Sequence, residues 1–302
     1  MWLTPLVDAL FRQSLSPTAS RAHDIVSKIR LQEIEDVWTV PGTYGNESSE
    51  RFAGEMFPLA RPFIQGTKLW KIIQRMPKGS LLHAHFGALV PYDIMFDSLL
   101  KTPGMHIASP LDLSNVANRK TAAVSFAYVK PTTVLNATGS IWTEDYVPTT
   151  PVPVTVAADS FPDGGRVGFL KYLKSILTLS VEESTSHELG VNAIWRSFEA
   201  TFVIQASLYA YEPLFRSYLQ ELFKALVADG IQWVELRQTF SLSDIIREGQ
   251  ETRELTPDFM FEVIEEELAN FQATPLGKNF WGTRGIWSGI RGFPKDMIIA
   301  GM

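Results

Sequence analysis

The chain has 302 residues, 45% of them apolar and 20% charged, with a formal net charge of −6. That balance suits a packed globular protein of one large or two ordinary domains. No basic block stands out, which argues against nucleic acid and anionic membrane as partners. Cysteine is absent, so disulfides and thiolate metal sites are excluded, and any transition metal must be held by histidine and carboxylate.

The N-terminus, "MWLTPLVDALFRQSLS", is mildly apolar, but Asp8 and Arg12 interrupt it and no basic segment leads it. It reads poorly as a signal peptide. No apolar run reaches the ~20 residues that span a bilayer. Sequons at Asn46 and Asn136 are triplets too short to establish secretion. The missing leader and missing cysteine favour a cytoplasmic setting.

Residues 1–75 read as helical and irregular, closing on "TKLWKIIQRMP". Thr67 suits an N-cap, Leu69, Ile72, Ile73 and Met76 form an apolar stripe, and Pro77 ends the helix. "GSLLHAH" then reads as a short buried strand after a glycine turn. "PYDIMFDSLL" follows as a helix with Pro91 in its first turn. His106, in "TPGMHIASP", reads as a loop residue.

"TAAVSFAYVK" (121–130) is the second strand candidate. Residues 131–165, rich in Thr, Pro, Val and Gly, read as a long surface excursion with extended pieces. "RVGFLKYLKSILTLS" reads as a short helix and "VNAIWRSFEATFVIQASLYAY" as a longer one. "EPLFRSYLQELFKALVADG" is the clearest helix. Its apolar residues from Phe215 to Val227 fall at helical spacing, Pro213 lies in the first turn and Gly230 at the C-terminal cap. "IQWVELRQTF" (231–240) reads as a buried strand, "TPDFMFEVIEEELANF" (256–271) as a helix capped by Thr256, and "TRGIWSGIRGF" (283–293) as a fourth strand. Strands alternating with helices predict a parallel α/β sheet with helical crossovers.

The chemistry concentrates in "MPKGSLLHAHFGALV", residues 76–90. In a strand, residues i and i+2 share a face, so His83 and His85 aim their imidazoles the same way. Parallel α/β folds place their sites at strand C-terminal ends. Two co-directed imidazoles there either begin a metal site or are two polar residues at a strand edge.

The same stretch strongly resembles the first-strand motif of the adenosine deaminase family, and within it the growth-factor, or secreted, branch, where the motif reads MPKG–LHxH. "AIWRSFEATF", "YEPLFRSYLQELFKALVADGIQWVELR" and "FWGTRGIWSGIR" resemble later segments of that branch in the right order. The resemblance implies an N-terminal helical extension over 1–78. Over 79–302 it implies the N-terminal half of a (β/α)8 TIM barrel, about its first four strands. It implies zinc as cofactor, with His83 and His85 as the first two ligands, and adenosine or a related purine nucleoside as substrate, converted to inosine and ammonia. It also implies a homodimer through the N-terminal helices, and it allows an extracellular setting.

Trp195 matches a tryptophan that lines the ribose side, against the alternative of an ordinary core aromatic. Glu235 matches a third-strand glutamate, against the alternative of a salt bridge with Arg237. The family commonly carries an Asp that binds a ribose hydroxyl two residues after the second histidine; Gly87 stands there. Of the five histidines, none lies in the family's later H-A-G-E motif. His187, in "STSHELG", precedes the third strand, which is the wrong place for the third ligand. Roughly 220 residues follow from His83, against about 250 for eight strands. The expectation is therefore a truncated, inactive form with an incomplete zinc site. A non-catalytic nucleoside-binding relative is the alternative, and another hydrolase of the amidohydrolase type, which also carries H-x-H on strand one, is a third reading.

Overall fold

The computed structural model describes residues 9–39, 41–44, 47–51, 54–185, 188, 190–238, 245–254, 256–289 and 295–296. The chain divides into two compact units, Met1–Met76 and Pro77–Met302.

In the first unit, α1 (Ala9–Gln13) precedes α2 (Pro17–Glu33), whose first turn is capped by Ser16 accepting from the Ala19 amide. A π-helical turn, Ile34–Trp38, leads to an antiparallel hairpin of β1 (Pro41–Tyr44) and β2 (Glu47–Glu50). Helices α3 (Phe57–Ile64) and α4 (Lys68–Arg75) complete the unit. Thr67 caps α4 as its sequence requires, accepting from the Trp70 amide at 3.1 Å. The Glu33 carboxylate at the end of α2 accepts from the amides of Lys68 and Leu69 at 2.6 and 3.1 Å. A carboxylate on the free amides of a helix N-terminus complements the helix dipole, and here it ties α2 to α4. The hairpin is an addition to the helical reading of this region.

The second unit is built on a parallel sheet. β3 (Gly79–His85) pairs with β7 (Ile231–Gln238), which pairs with β8 (Gly282–Trp287), all in one direction. Helix α11 (Glu212–Ala228) leads into β7, and α12 (Asp258–Gln272) lies between β7 and β8 in sequence. The predicted apolar stripe of α11 is its core face: Phe215, Tyr218, Leu219, Leu222, Phe223 and Leu226 are all buried. Phe223 meets Phe271 of α12 and Phe280 at centroid distances of 5.6 and 5.4 Å. Arg216 on α11 pairs with Glu212, Glu266 and Glu267 at 2.8–2.9 Å, joining the two helices at their rim. Pro257 takes the N-cap of α12, one residue later than the sequence spacing placed the start.

Between β3 and α11 the chain departs from the expectation of four consecutive parallel strands. After α5 (Tyr92–Lys101) come β4 (Met105–Ala108), α6 (Val116–Thr121), β5 (Ser125–Tyr128) and β6 (Val152–Pro153). These strands form their own antiparallel sheet in the order β5-β4-β6. The second strand candidate therefore lies outside the parallel sheet, which has three strands among the described residues, and β3 pairs with β7 directly. His106 lies in β4, not in a loop. Its ring Nδ1 is 2.8 Å from the Gly104 carbonyl.

The excursion 131–165 is also more than surface. Ile141, Trp142, Tyr146 and, in α7 (Val154–Asp159), Val154, Ala157 and Ala158 are buried. Trp142 packs edge-on against Phe161 and against Phe169 and Tyr172 of α8 (Gly165–Leu177). A threonine- and proline-rich composition signals irregular backbone and not exposure, so the aromatic anchors decide where the segment goes. A short α9 (Val181–Thr185) and the long α10 (Val191–Leu208) return the chain to α11.

Candidate functional site

One face of the parallel sheet packs against helices through Val234 and Leu236, which are 0% and 1% exposed. On β3 the same face is served by Ala84 and by Leu81, which packs against the core. Between these two the register shifts: Leu81 pairs with Val234 and Ala84 with Leu236, leaving one extra residue on β3. Such a bulge re-aims side chains. Leu82 and His83 are both exposed, as is His85 beyond Ala84. The rings of His83 and His85 lie 5.3 Å apart, centroid to centroid, tilted by 50°. The sequence spacing anticipated a shared face; the bulge beside His83 it did not.

Arg237 holds this bulge. Its Nη2 donates to the Leu82 carbonyl at 3.0 Å, and its backbone is in register with His85. Its Nη1 stands 3.6 Å from a Glu235 carboxylate oxygen, an ion contact longer than a hydrogen bond. Glu235 is in register with Arg284 of β8. The open face of the sheet thus presents two imidazoles, a carboxylate and two guanidinium groups.

The turn leaving β3 is fixed from the other side. The Gly87 amide donates to the Tyr218 hydroxyl at 2.9 Å, and the Gly87 carbonyl accepts from Gln205 Nε2 at 2.9 Å and from the Tyr209 hydroxyl at 3.3 Å. Gln205 Nε2 also donates to the Tyr92 hydroxyl at 2.7 Å. Phe86 fills the space between, 4.6 Å from Tyr218 and 5.3 Å from Phe215. Burial raises the ionisation of Tyr92, Tyr209 and Tyr218 above the ordinary tyrosine range, so all three stay neutral donors and acceptors. Gly87 has φ of +88°, and a Cβ on it would meet the Gln205 carboxamide at 2.8 Å. Any other residue there would be strained and would have to displace the carboxamide. These tyrosines and Gln205 escaped the sequence reading; a lone glutamine in the apolar run "FVIQASL" was the available signal.

Trp195 lies on α10, 54% exposed, with its ring 5.5 Å from Phe198. Among the described residues, no three His, Asp or Glu side chains come together in a group able to hold a metal ion. His83 and His85 supply two imidazole nitrogens where zinc takes four donors. His187 lies outside the described residues.

The fold and the pair define a class: a mixed α/β protein with a parallel sheet, of the kind a partial TIM-type barrel would have, carrying two histidines at the C-terminal end of its first parallel strand. No protein-family model matches the chain. It is similar to an adenosine deaminase of Lutzomyia longipalpis, 30% identical over 176 residues, which is 58% of this chain and 30% of that protein. It is similar to an adenosine deaminase of Phlebotomus duboscqi, 27% identical over 218 residues, 72% of this chain and 38% of that protein. Adenosine deaminase 2 of Dictyostelium discoideum is 24% identical over 218 residues, 72% of this chain and 35% of that protein. The chain is a homologue of the adenosine deaminases, with adenosine deaminase 2 types among its relatives. It spans about a third of the length of the relatives it matches.

Proposed function

We propose that the chain is an adenosine deaminase-like protein. In this reading Pro77–Met302 is the N-terminal portion of a (β/α)8 barrel, His83 and His85 are two ligands of zinc, and the substrate is adenosine or a related purine nucleoside. The carrying observation is the co-directed histidine pair at the end of the first parallel strand, with ring centroids 5.3 Å apart. Trp195 and Glu235 are its candidate substrate contacts. A bound zinc would supply a water nucleophile usable near neutral pH. Because two imidazoles are half of a tetrahedral donor set, the isolated chain is proposed to hold zinc weakly and to leave adenosine unchanged. The homodimer through the N-terminal helices belongs to the same proposal, supported by exposed Phe11, Ile25 and Leu31 on α1 and α2.

The test is metal content after dialysis, with ammonia release from adenosine measured in parallel. Wild-type chain is expected to retain more zinc than the His83→Ala, His85→Ala double variant. Equal retention would remove the pair from the metal reading. Rapid ammonia release by the chain alone would overturn its inactivity.

One observation favours a second reading, a nucleoside-binding relative without catalysis. The space beside Gly87, where the family commonly places an Asp, is filled by the Gln205 carboxamide. Nucleoside binding that is independent of zinc would support this reading.

A further inference from the structure

Gln205 has a feature that the fold itself does not need. Its amide orientation is settled by chemistry: the Gly87 carbonyl can only accept, so the group facing it at 2.9 Å is the nitrogen. Both hydrogens of Nε2 are then used, on the Gly87 carbonyl and on the Tyr92 hydroxyl. The oxygen, Oε1, has no hydrogen-bond partner among the described residues, and it is not among the buried atoms left unsatisfied. It is an acceptor held in place by its own amide, packed beside Gly87 and not fully buried.

The helix carries a matching surface. With 3.6 residues per turn, positions 195, 198, 202 and 205 of α10 fall within about 80° of one another. Trp195, Phe198 and Phe202 are 54%, 40% and 37% exposed, large fractions for rings of this size. Their rings form a ladder, 5.5 Å from Trp195 to Phe198 and 4.8 Å from Phe198 to Phe202. Gln205 follows on the same side of the helix, three residues after Phe202, and is bonded to the residue two positions past His85. An apolar aromatic wall with one fixed polar group at its foot suits a planar heterocycle that carries a hydrogen-bond donor.

We infer that Gln205 is a specificity-determining residue of the nucleoside site: Oε1 accepts from one hydroxyl or amino group of the ligand, and Phe202, Phe198 and Trp195 form the wall beside it. The inference rests on the nucleoside reading proposed above and adds the residue that selects among nucleosides. The Nε2 clamp on Gly87 makes it a positioning residue as well, since it fixes the acceptor relative to the histidine strand.

The experiment is equilibrium dialysis of adenosine, its 2′-, 3′- and 5′-deoxy forms and purine riboside against three proteins: wild type, Gln205→Met and Tyr92→Phe. In wild type, one analogue lacking a single donor is expected to bind about tenfold more weakly than adenosine, the size of one lost hydrogen bond. In Gln205→Met that difference disappears; in Tyr92→Phe, which keeps Oε1, it remains. A second measurement needs no variant: the Gln205 side-chain carboxamide resonance of wild type should move with adenosine and not with the discriminated analogue. An unchanged order of affinities in Gln205→Met, or a Gln205 resonance blind to adenosine, overturns the inference while the nucleoside reading stands. Absence of any adenosine binding by wild type removes that reading, and the inference with it.

Discussion

Gln205 and Gly87 are 118 residues apart in sequence, yet the Gln205 amide donates to the Gly87 carbonyl at 2.9 Å and its carboxamide covers the Gly87 Cα. The pair explains why a glycine follows the histidines. A side chain at 87 would need a left-handed backbone, φ +88°, and would collide with that carboxamide. Gly87→Asp is therefore expected to destabilise the chain by about 2–4 kcal/mol, the sum of a strained conformation and a steric displacement. Denaturant unfolding would measure it. Adding Gln205→Ala to Gly87→Asp should recover part of the loss, because it removes the collision and leaves only the backbone strain. A fully additive double variant would contradict the contact.

The histidines themselves carry little of the fold. Both are exposed, and the open face around them mixes polar residues, Glu235 and Arg237, with the apolar Leu82, Trp233 and Ile286. His83→Ala and His85→Ala should each change unfolding free energy by no more than about 0.5 kcal/mol, as surface substitutions do. Zinc retention should fall in both. A stability loss of several kcal/mol would instead mean that the imidazoles are structural.

Arg237 is different because its guanidinium bonds the Leu82 carbonyl at the bulge. Arg237→Met keeps the aliphatic stem and removes the clamp. The expected cost is about 1–3 kcal/mol for a hydrogen bond to a charged group. Amide exchange should rise first in β3, around Leu82 and His83, before it rises in α11. Unchanged protection in β3 would show that the bulge is held without the arginine.

Much of this was legible in the sequence, for identifiable reasons. Helices α4 and α11 announced themselves because apolar spacing agrees with the helix-end signals, as at Thr67 and in the buried stripe of α11, while α10 and α12 were legible from apolar spacing alone. The shared face of His83 and His85 followed from strand periodicity. What escaped depends on contacts distant in sequence. β5 looks like any short apolar strand, and nothing local tells it to pair with β4 and leave β3 to β7. The burial of Trp142 depends on partners on α8. The turn at Gly87 depends on Gln205, Tyr209 and Tyr218, all more than 100 residues away.

The tyrosine cluster beneath that turn contributes to the alkaline limit of the second unit, together with Tyr146, Tyr172 and Tyr211, whose ionisation burial also raises. Tyr92, Tyr209 and Tyr218 all ionise above the usual value of 10.0, chiefly because burial penalises the phenolate. In the unfolded chain they ionise near the usual value. Between that value and the raised one the folded state binds more protons than the unfolded state, so stability must fall as pH rises. Their contribution is fully present below pH about 10 and is lost progressively above it. Unfolding midpoints followed from pH 8 to 11 should therefore bend downward near pH 10. Tyr218→Phe should soften the bend, since it removes one such group, while lowering stability at neutral pH by about 1–2 kcal/mol through the lost bond to the Gly87 amide. An identical bend in wild type and Tyr218→Phe would place the alkaline transition on other groups.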